Sequence, residues 1–152
     1  MAESSRPSLQ DITTALEQLA DRVSRSEADT PEPFVSHTLR AAVLALEQYI
    51  PGLDPAPDVE AARGLLRGAE AALHRGDPNE ALSRALRGLS FSPHDPLLWY
   101  LAGSACFELG QVEDALRLLY HTLWINPGHR AARADLDALT AFFEGEEGER
   151  AA

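Results

Sequence analysis

The chain has 152 residues, 45% of them hydrophobic, enough for one domain with its own core. A net charge of −11 argues against nucleic acid and against anionic membrane surfaces, since both demand a basic partner. No apolar run approaches the roughly 18–20 residues of a membrane span, the N-terminus lacks the basic start and apolar stretch of a signal peptide, and the lone Cys106 allows no internal disulfide; together these lead us to expect a cytoplasmic protein. All 13 basic residues are arginine, which with the abundant alanine reads as a GC-rich bacterial genome. The acidity lies mostly outside the centre: residues 1–58 carry ten acids and four arginines, residues 59–143 ten and eight, residues 144–152 four and one.

Residues 1–8 show no pattern and are expected to be disordered. Residues 9–25 place Leu9, Ile12, Leu16, Leu19 and Val23 at three- and four-residue spacing, an amphipathic helix with a narrow stripe. Ser8 and Asp11 resemble a capping box with aspartate in place of glutamate. After the turn-forming "SEADTPEP", a second helix is expected over 34–50, with Val35, Leu39, Ala42, Val43, Leu46 and Ile50 as its stripe. The two make an N-terminal helical hairpin over 9–50. The three prolines of "PGLDPAPD", 51–58, form a linker.

From residue 59 the chain repeats. A shift of 34 places Ala71 on Ala105, Gly76 on Gly110, Ala81-Leu82 on Ala115-Leu116, Leu89 on Leu123 and Pro93 on Pro127. The small pair Gly68-Ala69 falls on Ala102-Gly103, and no gap is needed. In the first unit one helix runs from about 59 to 74 and stops at Gly76, a residue that tolerates positive φ. Asp77 caps the next, Pro78 takes its first position, and Glu80 has the spacing of a capping box. This helix ends near Ser92-Pro93. The second unit restarts with Asp95 and Pro96, turns at Gly110 and ends at Asn126-Pro127. A last helix is expected over 129–143, followed by the charged tail 144–152, which has nothing to bury.

This pattern resembles the tetratricopeptide repeat (TPR) family. Residues 96–127 supply Trp99, Ala102-Gly103, Gly110, Ala115, Leu119, Thr122 and Pro127 in that family's register; residues 62–93 supply Leu65, Gly68-Ala69, Gly76, Ala81, Ala85, Gly88 and Pro93. The resemblance covers about 66 residues. It implies an all-α, short TPR-type solenoid over 59–143 (repeats about 62–95 and 96–129, capping helix 129–143), preceded by a hairpin outside the repeat pattern that packs on the first repeat or self-associates. It also gives Gly103 a reason. A mid-helix glycine costs roughly 0.5–1 kcal/mol relative to alanine, but the family's paired helices cross closely at their small residues.

The family binds ligands in a concave groove lined by the first helix of each repeat. Its register puts Arg63, Leu66, Glu70, Leu73 and His74 there from one repeat, and Leu97, Tyr100, Ser104, Phe107 and Glu108 from the next. The set is largely apolar and aromatic and lacks the lysines and asparagines of the family's clamp for acidic chaperone tails. It suits a peptide or partner helix with apolar anchors, unless the hairpin or last helix fills the groove. Tyr120 and Trp124, with Leu86 as the first-repeat counterpart of Tyr120, stand where the family usually exposes charge. They read as a second interface, homodimerisation included, or as a patch packed under another segment.

No catalytic, cofactor or metal set emerges. None of the five histidines has a ligand spacing with another histidine or with Cys106, and Cys106 occupies a position that packs between helices, as an inert thiol. The expected function is a non-catalytic interaction module or adaptor for a protein or peptide. The alternatives are a dedicated chaperone similar to those of type III secretion translocators, and a self-associating structural subunit.

Overall fold

The computed structural model describes residues 9–25, 41, 43 and 58–151. Six helices follow one another along the described residues: α1 (Leu9–Arg25), α2 (Val59–His74), α3 (Pro78–Phe91), α4 (Pro96–Glu108), α5 (Val112–Ile125) and α6 (Arg130–Ala151). There is no strand among them. The expected helix over 34–50 lies outside the described residues except for Ala41 and Val43, which are helical. Residues 1–8 and 51–57 lie outside them as well.

Local chemistry sets the helix ends. Asp58, Asp77 and Asp95 each cap a helix, accepting from the amides of Ala61, Glu80 and Leu97 at 3.0–3.1 Å. Pro78 and Pro96 open α3 and α4, where a missing N–H removes no bond. The two turns between paired helices are the same motif. Gly76 has φ +76° and Gly110 φ +81°. Gly76 N donates to Leu73 O and Asp77 N to Ala72 O; Gly110 N donates to Phe107 O and Gln111 N to Cys106 O. Because Ala72 already takes the Asp77 N–H, Glu80 does not close the expected capping box. Its carboxylate pairs with Arg75 at 2.8 Å and Arg84 at 2.6 Å, and these two arginines hold its pKa below 4.5.

The helices stack as an all-α solenoid. Antiparallel pairs α2–α3 and α4–α5 pack on each other through α3 and α4, and α2 also touches α4. Trp99 is fully buried at the junction and donates its indole N–H to Pro93 O at 2.7 Å. Gly103 sits where α4 meets α5, against Leu118, Leu119 and the Ala115 carbonyl. One core cluster runs from Ile12 of α1 to Leu118 of α5; a second joins Leu119 and Leu123 to Ala132, Leu136 and Leu139 of α6.

α1 packs on α3. Leu16, Leu19, Ala20 and Val23 are buried in the main core. Ser83 Oγ donates to Ala20 O at 2.7 Å, Asn79 Nδ2 to Val23 O at 2.8 Å, and Arg87 pairs with Asp21. α6 continues past residue 143, the end expected from sequence, to Ala151. Glutamate, alanine and arginine are good helix formers, and no proline stops the run.

Candidate protein-binding surfaces

The expected groove residues divide into two groups. On α2, Leu66 and Leu73 lie half-buried against the core, Glu70 is half-buried, and Arg63 and His74 are exposed. Arg63 pairs with Glu60 at 3.3 Å on the surface. On α4, Leu97 packs against the core, Tyr100 and Ser104 are half-buried, and Phe107 and Glu108 are exposed. Of the α4 set, Ser104, Phe107 and Glu108 line a cavity.

That cavity measures about 630 Å³ and is mostly apolar. Gly103, Ser104, Phe107 and Glu108 come from α4, Val112 and Leu119 from α5, and Asp135, Ala138, Leu139, Phe142 and Phe143 from α6. Phe107 is 50% and Phe142 60% exposed. None of the described residues lining it lies outside these three helices, so α1 does not fill it.

α6 is split by its own periodicity. Ala132, Leu136 and Leu139 are buried, while Asp135, Ala138 and Phe142, at three- and four-residue steps on the next strip, line the cavity. The sequence reading missed this strip because the repeat register stops at Pro127. The adjacent pair Phe142-Phe143 was the available signal, since both cannot join one buried stripe. At the near end Tyr100 ties α4 to α6. Its hydroxyl donates to Asp135 at 2.7 Å and its ring lies 5.1 Å from that of His129. Burial and the Asp135 carboxylate both raise its pKa above 10. His129 in turn caps α6, its Nδ1 accepting from Ala132 N at 3.1 Å.

The outer surface corrects one expectation. Leu86 is fully buried in the main core, not part of an open interface; it lies on α3, the helix against which α1 packs. Thirty-four residues on, the face is open: Tyr120 is 59% and Trp124 52% exposed. Asn79, Ser83 and Arg87, which bond to α1, and the buried Leu86 correspond to Glu113, Arg117, His121 and Tyr120 of α5. These four line a second concavity of about 590 Å³ with Leu116, Trp124 and Val43. α5 therefore repeats the surface on which α1 docks, with different chemistry.

Cys106 is buried, and desolvation with the nearby Asp114 charge pushes its pKa far above the usual thiol range. No described helix is long and apolar enough to cross a membrane.

No protein-family model matches the chain, and no curated protein matches it in sequence. Among solved structures it is similar to the C-terminal, TPR-containing domain of a Plasmodium falciparum protein described as FK506-binding, with a TM-score of 0.53 and 15% identity over 93% of this chain and 97% of that one. At that identity the likeness carries the fold alone: the helices are arranged as in a TPR-like domain.

Proposed function

We propose that the chain is a non-catalytic protein-interaction module whose α4–α6 groove receives an apolar segment of a partner protein. One observation carries the reading: Phe107 and Phe142 stay half-exposed in a cavity that the chain's own first helix leaves empty. Two aromatic anchors in one concave apolar site are the arrangement at which interface energy concentrates. The dedicated-chaperone reading uses the same groove and differs in its client, which would be insoluble without this chain.

Peptide-display selection on the full chain tests the proposal. Enriched peptides should bind with micromolar affinity and lose at least tenfold on Phe107→Ala with Phe142→Ala. Peptides indifferent to that double substitution would place binding elsewhere and remove the reading. A second reading, self-association through α5, is favoured by the open Tyr120–Trp124 surface, whose first-repeat counterpart is covered.

A further inference from the structure

The groove also carries a charge sign, and the following rests on its being the binding site. Among the described residues lining the cavity, Glu108 and Asp135 are the charged ones and there is no arginine or histidine. The acidity extends along α6. From Asp135 to Ala151 the helix carries Asp135, Asp137, Glu144, Glu146, Glu147 and Glu149 against Arg150; Arg130 and Arg133 lie at its other end.

This distribution is unfavourable within the chain. The last turns of a helix present a partial negative charge, which repels carboxylates. Glu108 and Asp135 in the lining, with exposed Glu144 directly after Phe143, therefore place negative charge beside the apolar site formed by Phe107, Phe142 and Phe143.

We infer that the groove's occupant is a cationic amphipathic helix of a partner protein, its apolar face seated on Phe107 and Phe142 and its arginines or lysines meeting Glu108, Asp135 and Glu144. Three features support this choice. The cavity lies between helices, the setting in which a third helix lays its apolar ridge. Aromatic rings beside carboxylates suit a guanidinium or ammonium group, which gains from both. An acidic segment would meet repulsion on one side of the groove, with no compensating cation among the described lining residues.

Three synthetic 14-residue peptides test this. They share leucine and phenylalanine at positions 1, 4, 5, 8 and 11 and fill the remaining positions with arginine, glutamine or glutamate mixed with alanine. Binding to the full chain is measured calorimetrically at 50 and 300 mM NaCl. The arginine peptide is expected to bind at least tenfold more tightly than the glutamine peptide at low salt, with the glutamate peptide weakest. That ratio should shrink several-fold at high salt and again in the Glu108→Gln, Asp135→Asn variant. Phe107→Ala with Phe142→Ala should abolish binding of the arginine peptide.

If all three peptides bind alike and the phenylalanine double variant loses them all, the charge inference fails while the groove reading stands. If the arginine peptide binds but ignores the phenylalanine substitutions, its binding is diffuse attraction to an acidic surface and the inference fails. If none binds, the groove reading falls with it.

Discussion

The imidazole of His121 lies nearly parallel to the indole of Trp124, with ring centroids 5.6 Å apart and 14° between planes. It also meets buried Trp99, with ring centroids 4.5 Å apart and 69° between planes. His121 thus joins the central aromatic of the core to an exposed aromatic of the outer surface. Burial, with the neighbouring His94 adding to it, lowers its pKa from 6.5 to about 4.

This depression makes stability depend on pH in a defined window. Between about 6.5 and 4 the unfolded chain takes up a proton that the folded chain refuses, so stability falls as the pH falls through that range and is unaffected above it. Taking 6.5 and 4 as the two values, the loss between pH 7 and pH 5 comes to about 2 kcal/mol. Urea unfolding at the two pH values should show it in the wild type, and His121→Leu should flatten most of it. An equal acid loss in His121→Leu would remove His121 as the cause.

Glycine spacing predicts a second difference. A Cβ on Gly88 would stand 2.9 and 3.1 Å from the two Leu98 methyl carbons, whereas one on Gly103 would come no closer than 3.3 Å, to Leu118 Cβ. Leu98 is fully buried and has little room to yield. Gly88→Ala should therefore destabilise by about 1–3 kcal/mol through overpacking. Gly103→Ala should be nearly neutral, because the better helix propensity offsets a slight crowding, while Gly103→Leu should cost about 1–3 kcal/mol. Thermal melts of the three variants rank them, and a Gly103→Ala protein less stable than Gly88→Ala would contradict the packing.

Features governed by neighbours in sequence were legible before the structure. Asp77 and Asp95 as caps, Pro78 and Pro96 at first positions, and Gly76 and Gly110 at the turns each follow from a few adjacent residues. Glu80 was misread because another bond competes for its target: the turn at Gly76 assigns the Asp77 N–H to Ala72 O. Between the two readings of Leu86, interface or packed patch, the repeat register could not choose, because its burial is set by helices brought together only in the fold. Of the groove, Ser104, Phe107 and Glu108 were legible through the repeat register. Phe142 and Asp135 were not, because the 34-residue pattern stops at Pro127 and gives α6 no register to name its inner strip.

The docking of α1 on α3 predicts that the N-terminal helix is integral to the fold. Leu16 and Leu19 are buried in the main core, so Leu16→Ala should cost about 2–5 kcal/mol. Ser83→Ala, which deletes the buried bond to Ala20 O, should cost about 1 kcal/mol. Urea titrations measure both. A Leu16→Ala chain as stable as wild type would mean that α1 leaves α3 in solution, exposing the same face there that α5 exposes at Tyr120.

The open α5 face predicts an oligomer. Trp124 is half-exposed and rests on His121, so Trp124→Glu removes a surface stack worth about 0.5–1.5 kcal/mol and leaves the core clusters intact. The variant should therefore fold, with helical circular dichroism equal to that of the wild type. Light scattering at tens of micromolar should report a dimer for the wild type and a monomer for Trp124→Glu, because a carboxylate facing its own symmetry mate in an isologous contact is strongly unfavourable. Phe107→Ala, in the α4–α6 cavity and not in the concavity that Trp124 lines, should leave the wild-type mass unchanged. That second variant separates the two surfaces: a dimer broken by Phe107→Ala and not by Trp124→Glu would make the groove the self-association site and leave the α5 face without a partner.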